Sequence, residues 1–386
     1  MDAYLINPST LSGSIKIPPS KSQTLRAILF GALGDGISTV ENYLDSPDTE
    51  AMIHACSLFG AKIKKTCEKL IIDGLNGKIQ SVEDVIHAGN SGIVLRFCSA
   101  IGSLCSHPVV VTGDHSIRHQ RPMEPLIKAL SQLGVSIKSM RGDNYAPIVL
   151  QGPLKGGQTV LNGQDSQHVS ALLIAAAFAK EPIDIFVQDP GEKPWVSLTL
   201  DWLTRLNIPY KNHNFDHYSL RGSAHYKGFT YKVPGDISSA AFPIAAALVT
   251  RSELIIENID MNDNQGDKEL ISIFQKMGAS ITINEQLKTL HVKKGKDLSG
   301  IKVDINSCID AITILAVVAC FAKEPTYITN GAIAKHKECN RIQCITEELR
   351  KMGAHIEPTD DGLIINPSSL QGANVHSHGD HRMAMS

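Results

Sequence analysis

Aromatic side chains are scarce in this chain: Phe, Tyr and Trp make up 5% of its 386 residues. Stacking of bases, or a broad aromatic interface, is therefore not its theme. An excess of one charge is also lacking, with 37 Lys and Arg against 39 Asp and Glu and a net charge of −2. That balance excludes the basic surplus by which non-specific nucleic-acid binders hold a phosphate backbone. No uninterrupted apolar run reaches about 18 residues, so no membrane span is expected. The N-terminal MDAYLINPST has no basic start followed by an apolar stretch, so no secretory signal is visible. The eight cysteines form no CxxC pair and no Cys/His spacing suited to zinc. Several, such as Cys320 in LAVVACFAK, sit in apolar runs where a buried free thiol belongs. A soluble, cytoplasmic protein in a reducing compartment is expected. What is present, 42% apolar residues over a length beyond one core, predicts two or more domains.

The most informative pattern is internal repetition. A helix-end phrase recurs at Gly60 (LFGAKI), Gly134 (LGVSI), Asn207 (LNIPY), Gly278 (MGASI) and Gly353 (MGAHI), at intervals of 71 to 75 residues. Each reads as an amphipathic helix, a residue suited to a left-handed C-terminal cap, and then a strand. A second phrase recurs at the same interval, an apolar helix opened by small or polar residues. Its copies are PSKSQTLRAILFGAL, GNSGIVLRFCSAIG, DSQHVSALLIAAAFA, GDISSAAFPIAAALV and CIDAITILAVVACFA, with GDHRMAMS beginning a sixth. These helices are apolar nearly all round, which argues for burial. Strand-like runs such as HPVVVTG, APIVL, SELIIENI and TYITNG lie between them. Each unit thus combines two helices with several strands, and the sixth unit is expected to be incomplete at Ser386.

The helix openings carry residues that an apolar helix does not need for packing. Lys21, Ser22 and Arg26 open the first; Asn90, Ser91, Gly92 and Arg96 the second; Ser166 and Gln167 the third. Asp310 opens the fifth, and Asp380, His381 and Arg382 the sixth. Helix N-termini present unpaired N–H groups and a positive dipole end, so several converging on one cleft make an anion site. RHQRP adds Arg118 and Arg121, and KHKECNR adds Lys335, Lys337, Glu338 and Arg341. Cations gathered at helix starts in a chain without net positive charge point to substrates bearing several negative charges. Simpler roles are open to single members: a surface ion pair for a Lys or Arg, an N-cap for a Ser, Asp or Asn, including Asp236. His376, His378 and His381 lie close together in NVHSHGDH, but their spacing fits no standard zinc site and no metal is expected.

In these residues the chain resembles the enolpyruvyl transferases, most of all the 3-phosphoshikimate 1-carboxyvinyltransferases (EPSP synthases). The resemblance runs from IPPSKSQTLRA to GDHRMAM and rests on SKS with an Arg five beyond the Lys, GNSGIVLR, RPMEPL, SQ opening a helix, KPW, GDISSA, the IDA segment, HKECNR and DHRMAM. It implies an α/β (α+β) fold: a two-domain, inside-out α/β barrel built from six βαβαββ repeats. One domain would hold residues 1–20 and 236–386 with a truncated last repeat, and the other residues 21–235. The active site would lie in the cleft between the domains, which would close around substrates and exclude water.

The implied reaction joins phosphoenolpyruvate to the 5-hydroxyl of shikimate 3-phosphate and releases phosphate. Asp310 and Glu338 are then the acid/base candidates, with Lys21 sharing proton transfer. Lys21, Gly92, Arg96, Arg121, Gln167, Arg341 and Arg382 are expected around phosphoenolpyruvate. Ser22, Arg26, Ser166, Gln167, Trp195, Asp310 and Lys337 are expected around shikimate 3-phosphate, with Trp195 against its ring. No cofactor is implied, the partners are small molecules rather than nucleic acid or membrane, and a monomer is expected.

Four departures from the family pattern stand out. Pro19 replaces a usual Gly and requires an extended residue before it. Asp165 and Glu192 stand where many members have serines that bind the acceptor phosphate, and a carboxylate there repels a dianion unless it is neutralised. Lys193 is the neighbour expected to neutralise Glu192, and Ser166 to take over from Asp165. Cys339-Asn340 replaces the usual Ser/Thr-Asp and removes an expected ion-pair partner of Arg341. Other readings stay open: the sister enzyme acting on a UDP-amino sugar, a paralogue using another cyclic acceptor, or a catalytically silent binding homologue. The sister enzyme carries Lys-Asn where Lys21-Ser22 stands and a reactive cysteine in a loop where DHSIRHQRP has none.

Overall fold

The computed structural model describes residues 4–295 and 297–386, and the chain divides into two compact units. One holds Pro19–Pro234 and the segment His336–Cys339; the other holds the residues up to Pro18, Gly235–Lys335 and Asn340–Ser386. The crossings expected after residues 20 and 235 fall at Pro18/Pro19 and Pro234/Gly235. His336–Cys339 leaves the expected division because Lys337 and Glu338 pair with Glu192 and Arg121 of the Pro19–Pro234 unit.

The repeat takes shape as strand, helix, strand, helix, strand, strand. The first strand, β1 (Ser14–Lys16), pairs parallel with the distant strand Leu254–Glu257. In the Pro19–Pro234 unit the first repeat contains α1 (Lys21–Leu33), β2 (Ile37–Glu41), α2 (Pro47–Leu58), β3 (Lys62–Lys65) and β4 (Lys69–Asp73). The second contains β5 (Ile86–His87), α3 (Gly92–Gly102), β6 (Val109–Thr112), α4 (His115–His119), α5 (Glu124–Gln132), β7 (Ser136–Ser139) and β8 (Ile148–Gln151). The third contains β9 (Gly157–Asn162), α6 (Ser166–Phe178), β10 (Ile183–Gln188), α7 (Lys193–Arg205), β11 (Tyr210–His213) and β12 (His217–Leu220). β13 (Thr230–Lys232) then returns to the first repeat and supplies its leading strand, parallel to β2.

The same order governs every sheet: the leading strand lies parallel to the second, the second antiparallel to the last, and the last antiparallel to the third. Period-two burial explains the faces. In β10, Ile183, Ile185 and Val187 point inward while the residues between them are more exposed. Inside the sheets, α3 and α6 pack on each other. All of α3 is buried, as is α6 except for Gln167 and Phe178. This is the burial that helices apolar all round require.

The other unit carries α8 (Ile237–Val249), β14 (Leu254–Glu257), α9 (Glu269–Lys276), β15 (Ile281–Asn284) and β16 (Thr289–Val292), completed by β1. Its second repeat runs through β17 (Lys302–Asp304), a 3-10 turn at Asn306–Ala311, α10 (Ile312–Ala319), β18 (Thr326–Thr329), α11 (Arg341–Lys351), β19 (His355–Pro358) and β20 (Leu363–Asn366). α12 (His381–Met385) follows. Among the described residues there are five four-stranded sheets, each open, and no closed barrel. The repeat's punctuation is visible in the backbone: Gly60, Gly134, Asn207, Gly278 and Gly353 all have positive φ. No described helix is long and apolar enough to cross a membrane.

Candidate active site

In the Pro19–Pro234 unit the site is assembled from helix starts. Ser20, Ser91 and Asp165 cap α1, α3 and α6, each accepting a backbone N–H of the first turn. The capping leaves the next residues, Lys21 with Ser22, Gly92, and Ser166 with Gln167, at the mouths of the helices. Lys21 Nζ lies 3.4 Å from Asp48 of α2. Arg26 is buried and turned toward α7, donating to Thr199 Oγ1 at 3.0 Å, to the Trp195 carbonyl at 3.3 Å and to the Ser22 carbonyl at 3.2 Å. Ser22, Arg26 and Trp195 are thus brought together, and the Trp195 indole Nε1 is buried with no hydrogen-bond partner.

A second group forms around Gly92. A Cβ at this position would stand 2.6 Å from Arg96 Nη1 and 2.9 Å from Gln167 Oε1, so any side chain there would have to displace both ends, while Arg121 Cζ at 3.7 Å would be in ordinary contact. Arg96 is fully buried and donates to Gln167 Oε1 at 3.0 Å and the Pro122 carbonyl at 3.3 Å; it also pairs with Asp165 at 3.1 Å. Burial alone would raise the Asp165 carboxyl, but Arg96, then His168 and Lys337, hold it well below the usual carboxylate range. Burial, reinforced by Arg96, pushes the neighbouring His168 down to about 3, so its ring is neutral. Arg121, also buried, pairs with Glu338 at 2.6 Å.

Ser166 and Lys337 meet through Glu192. The Glu192 carboxylate accepts from Ser166 N at 2.9 Å, Ser166 Oγ at 2.8 Å and Lys337 Nζ at 2.7 Å. The expectation that Lys193 neutralises Glu192 is overturned: Lys193 is exposed and its Nζ lies 5.6 Å from the centre of the Phe215 ring. The reason is direction, since Lys193 opens α7 toward solvent while the buried Glu192 faces inward.

The other unit builds an arginine cluster. Arg341, the first residue of α11, donates from Nη1 to Asp310 at 2.7 Å and from Nε to Asp380 at 2.7 Å. Arg382 of α12 donates to the other Asp310 oxygen at 2.9 Å. Asp310 therefore bridges the two guanidinium groups from the 3-10 turn before α10. It is the most exposed member of the cluster, at 24% against 8% or less for the other three. Arg341 keeps acidic partners although Asn340 has replaced an aspartate, because Asp380, which also caps α12, reaches it from elsewhere in the chain. Below the cluster Asp267 is fully buried, accepts from Ser238 Oγ and has an Oδ1 with no partner. Burial, then Asp310, pushes its carboxyl up to about 7, against the pull of Arg382.

Asp48, Thr199, His168 and Asp267 were not legible as site neighbours, because nothing in their local sequence sets them apart. His378 pairs with Glu348 of α11 at 2.7 Å, and the His376 N–H donates to the same carboxylate at 2.9 Å. Among the described residues no group of three or more His, Cys, Asp or Glu is arranged to hold a metal ion.

The arrangement suits polyanionic substrates: Lys21, Arg96, Arg121, Lys337, Arg341 and Arg382 each pair with an internal carboxylate, and two of those carboxylates, Asp310 and Glu338, are the expected proton carriers. Comparison with known proteins agrees. The family model for EPSP synthase (3-phosphoshikimate 1-carboxyvinyltransferase) matches residues 6–386. A 3-phosphoshikimate 1-carboxyvinyltransferase of Chlamydia muridarum is 45% identical over 99% of this chain and 86% of its own length. That of Chlamydia pneumoniae is also 45% identical, over 100% of this chain and 86% of its own. The solved EPSP synthase of Acinetobacter baumannii superposes with a TM-score of 0.80 at 29% identity, over 97% of this chain and 88% of that one. The chain belongs to the EPSP synthase family.

Proposed function

We propose that this protein transfers the carboxyvinyl group of phosphoenolpyruvate to the 5-hydroxyl of shikimate 3-phosphate, a step of the shikimate pathway to aromatic amino acids. The hydroxyl gives its proton to a carboxylate as its oxygen attacks C2 of phosphoenolpyruvate, and C3 takes a proton, giving a tetrahedral adduct. The adduct then loses a proton from C3, and the C2–O bond to phosphate breaks. Asp310 and Glu338 exchange these protons, with Lys21 assisting. Arg121, Arg341 and Arg382, together with Lys21, Arg96, Gln167 and the Gly92 backbone, hold phosphoenolpyruvate and stabilise the charge on its phosphate. Ser22, Arg26, Ser166, Gln167, Asp310 and Lys337 hold the acceptor, with Trp195 beside its ring. The enzyme works as a cytoplasmic monomer.

The observation that carries this reading is the pairing of buried guanidinium groups with the two proton carriers: Arg121 with Glu338, and Arg341 and Arg382 with Asp310. Substrate anions arriving at the arginines compete for the guanidinium groups, and each carboxylate is freed from its ion pair to move a proton. The test is phosphate release from phosphoenolpyruvate with shikimate 3-phosphate, plain shikimate or no acceptor. Turnover with the phosphorylated acceptor alone is expected. Turnover with shikimate alone would establish the paralogue reading, and binding without turnover the silent homologue.

A further inference from the structure

Glu192 is the most unusual residue of the Pro19–Pro234 unit. It is 2% exposed, and its backbone is left-handed at φ 45° and ψ 39°, a conformation that a non-glycine residue adopts only when its surroundings enforce it. Although it precedes the first turn of α7, its side chain makes no cap there. It reaches the start of α6 instead, taking the Ser166 N–H, the Ser166 hydroxyl and the Lys337 ammonium. A helix N-terminal N–H, a hydroxyl and an ammonium are the donors that bind the anionic oxygens of a phosphate monoester. Here a carboxylate of the chain has them. Beside this set, Arg96 is likewise committed to Asp165.

We propose that Glu192 is a built-in competitor for the acceptor's anionic group, occupying the Ser166–Lys337 donor set and thereby setting how tightly that group binds. The inference rests on the proposed reaction for the identity of the acceptor. An incoming phosphate dianion gains Ser166 and Lys337 only as the Glu192 carboxylate gives them up, and any charge left beside it repels the newcomer. Affinity for the phosphorylated acceptor is the difference between two anions competing for one cradle. Such a cradle discriminates by charge, because a neutral hydroxyl in place of the phosphate cannot match the carboxylate on Lys337.

The experiment uses the full chain with Glu192→Gln, which keeps size but removes the charge, and Glu192→Ser, which removes the occupant. Binding of inorganic phosphate is measured by calorimetry, and KM for shikimate 3-phosphate and for phosphoenolpyruvate by phosphate release. Both variants are expected to bind inorganic phosphate about tenfold more tightly and to show a lower acceptor KM, with the phosphoenolpyruvate KM moving less than twofold. An acceptor KM that rises, or phosphate affinity unchanged in both variants, overturns the proposal and leaves Glu192 as a brace between α6 and Lys337. The phosphate arm needs no turnover, so it decides the proposal even if the wild-type chain proves inactive and the proposed reaction fails. If Glu192→Ser unfolds, Glu192→Gln alone decides the outcome.

Discussion

Replacing Asp267 by Asn probes the charge balance beneath the arginine cluster. In the folded chain the carboxyl is raised from 3.8 to about 7 by burial and by Asp310, so the native state holds a proton that the unfolded chain releases. The linkage has a definite sign. Below about pH 4 both states are protonated and Asp267 costs nothing; as pH climbs toward 7 the unfolded state ionises first and is favoured. At 1.36 kcal/mol for each pH unit, the loss above pH 7 amounts to roughly 4 kcal/mol. Asn cannot ionise and keeps an oxygen for the Ser238 hydroxyl. It brings an N–H whose burial without a partner costs about 1–3 kcal/mol at every pH. The diagnostic quantity is therefore how the stability difference between variant and wild type changes with pH. That difference should move in favour of Asp267→Asn by about 3 kcal/mol between pH 4.5 and pH 8. Urea unfolding followed by circular dichroism is the assay, because Trp195 and Trp202 both lie in the Pro19–Pro234 unit and do not report on this one. A stability difference that stays flat within about 0.5 kcal/mol across that range would refute a raised carboxyl at this position.

Two further outcomes follow from the same geometry. Asp310→Ala should lower turnover by about 100-fold or more if Asp310 moves a proton, and an unchanged rate would remove it from the mechanism. Arg96→Met should destabilise the protein by about 3–5 kcal/mol by stranding the buried Asp165 carboxylate. Adding Asp165→Asn should recover most of that loss in urea unfolding, and a double variant no more stable than Arg96→Met would disprove the pairing.

Much of the fold was legible because it is locally encoded. The left-handed residues that end helices at Gly60, Gly134, Asn207, Gly278 and Gly353 are set by a short phrase, since few other residues tolerate that conformation. Asp236 is the N-cap of α8, accepting from Ser238 N at 3.0 Å, as a short polar side chain before an apolar helix should be. Less legible was the start of the fifth helix: Asp310 sits in a 3-10 turn, and α10 begins only at Ile312. The apolar period continues across the turn, so hydrophobicity alone does not mark the change of winding.

The sequence by itself determined the repeat, the helices buried on every side and the list of cations at their starts, because each depends on residues within a few positions of one another. The tertiary structure decided which carboxylate each cation holds. Lys337 pairs with Glu192 across 145 positions and Arg382 with Asp310 across 72, while the adjacent Lys193 plays no part. It also decided that β1 pairs with β14 and β13 with β2, closing sheets with strands from far along the chain. Coulomb attraction and strand pairing act through space, and only the packed sheets and buried helices establish which distant residues come within reach.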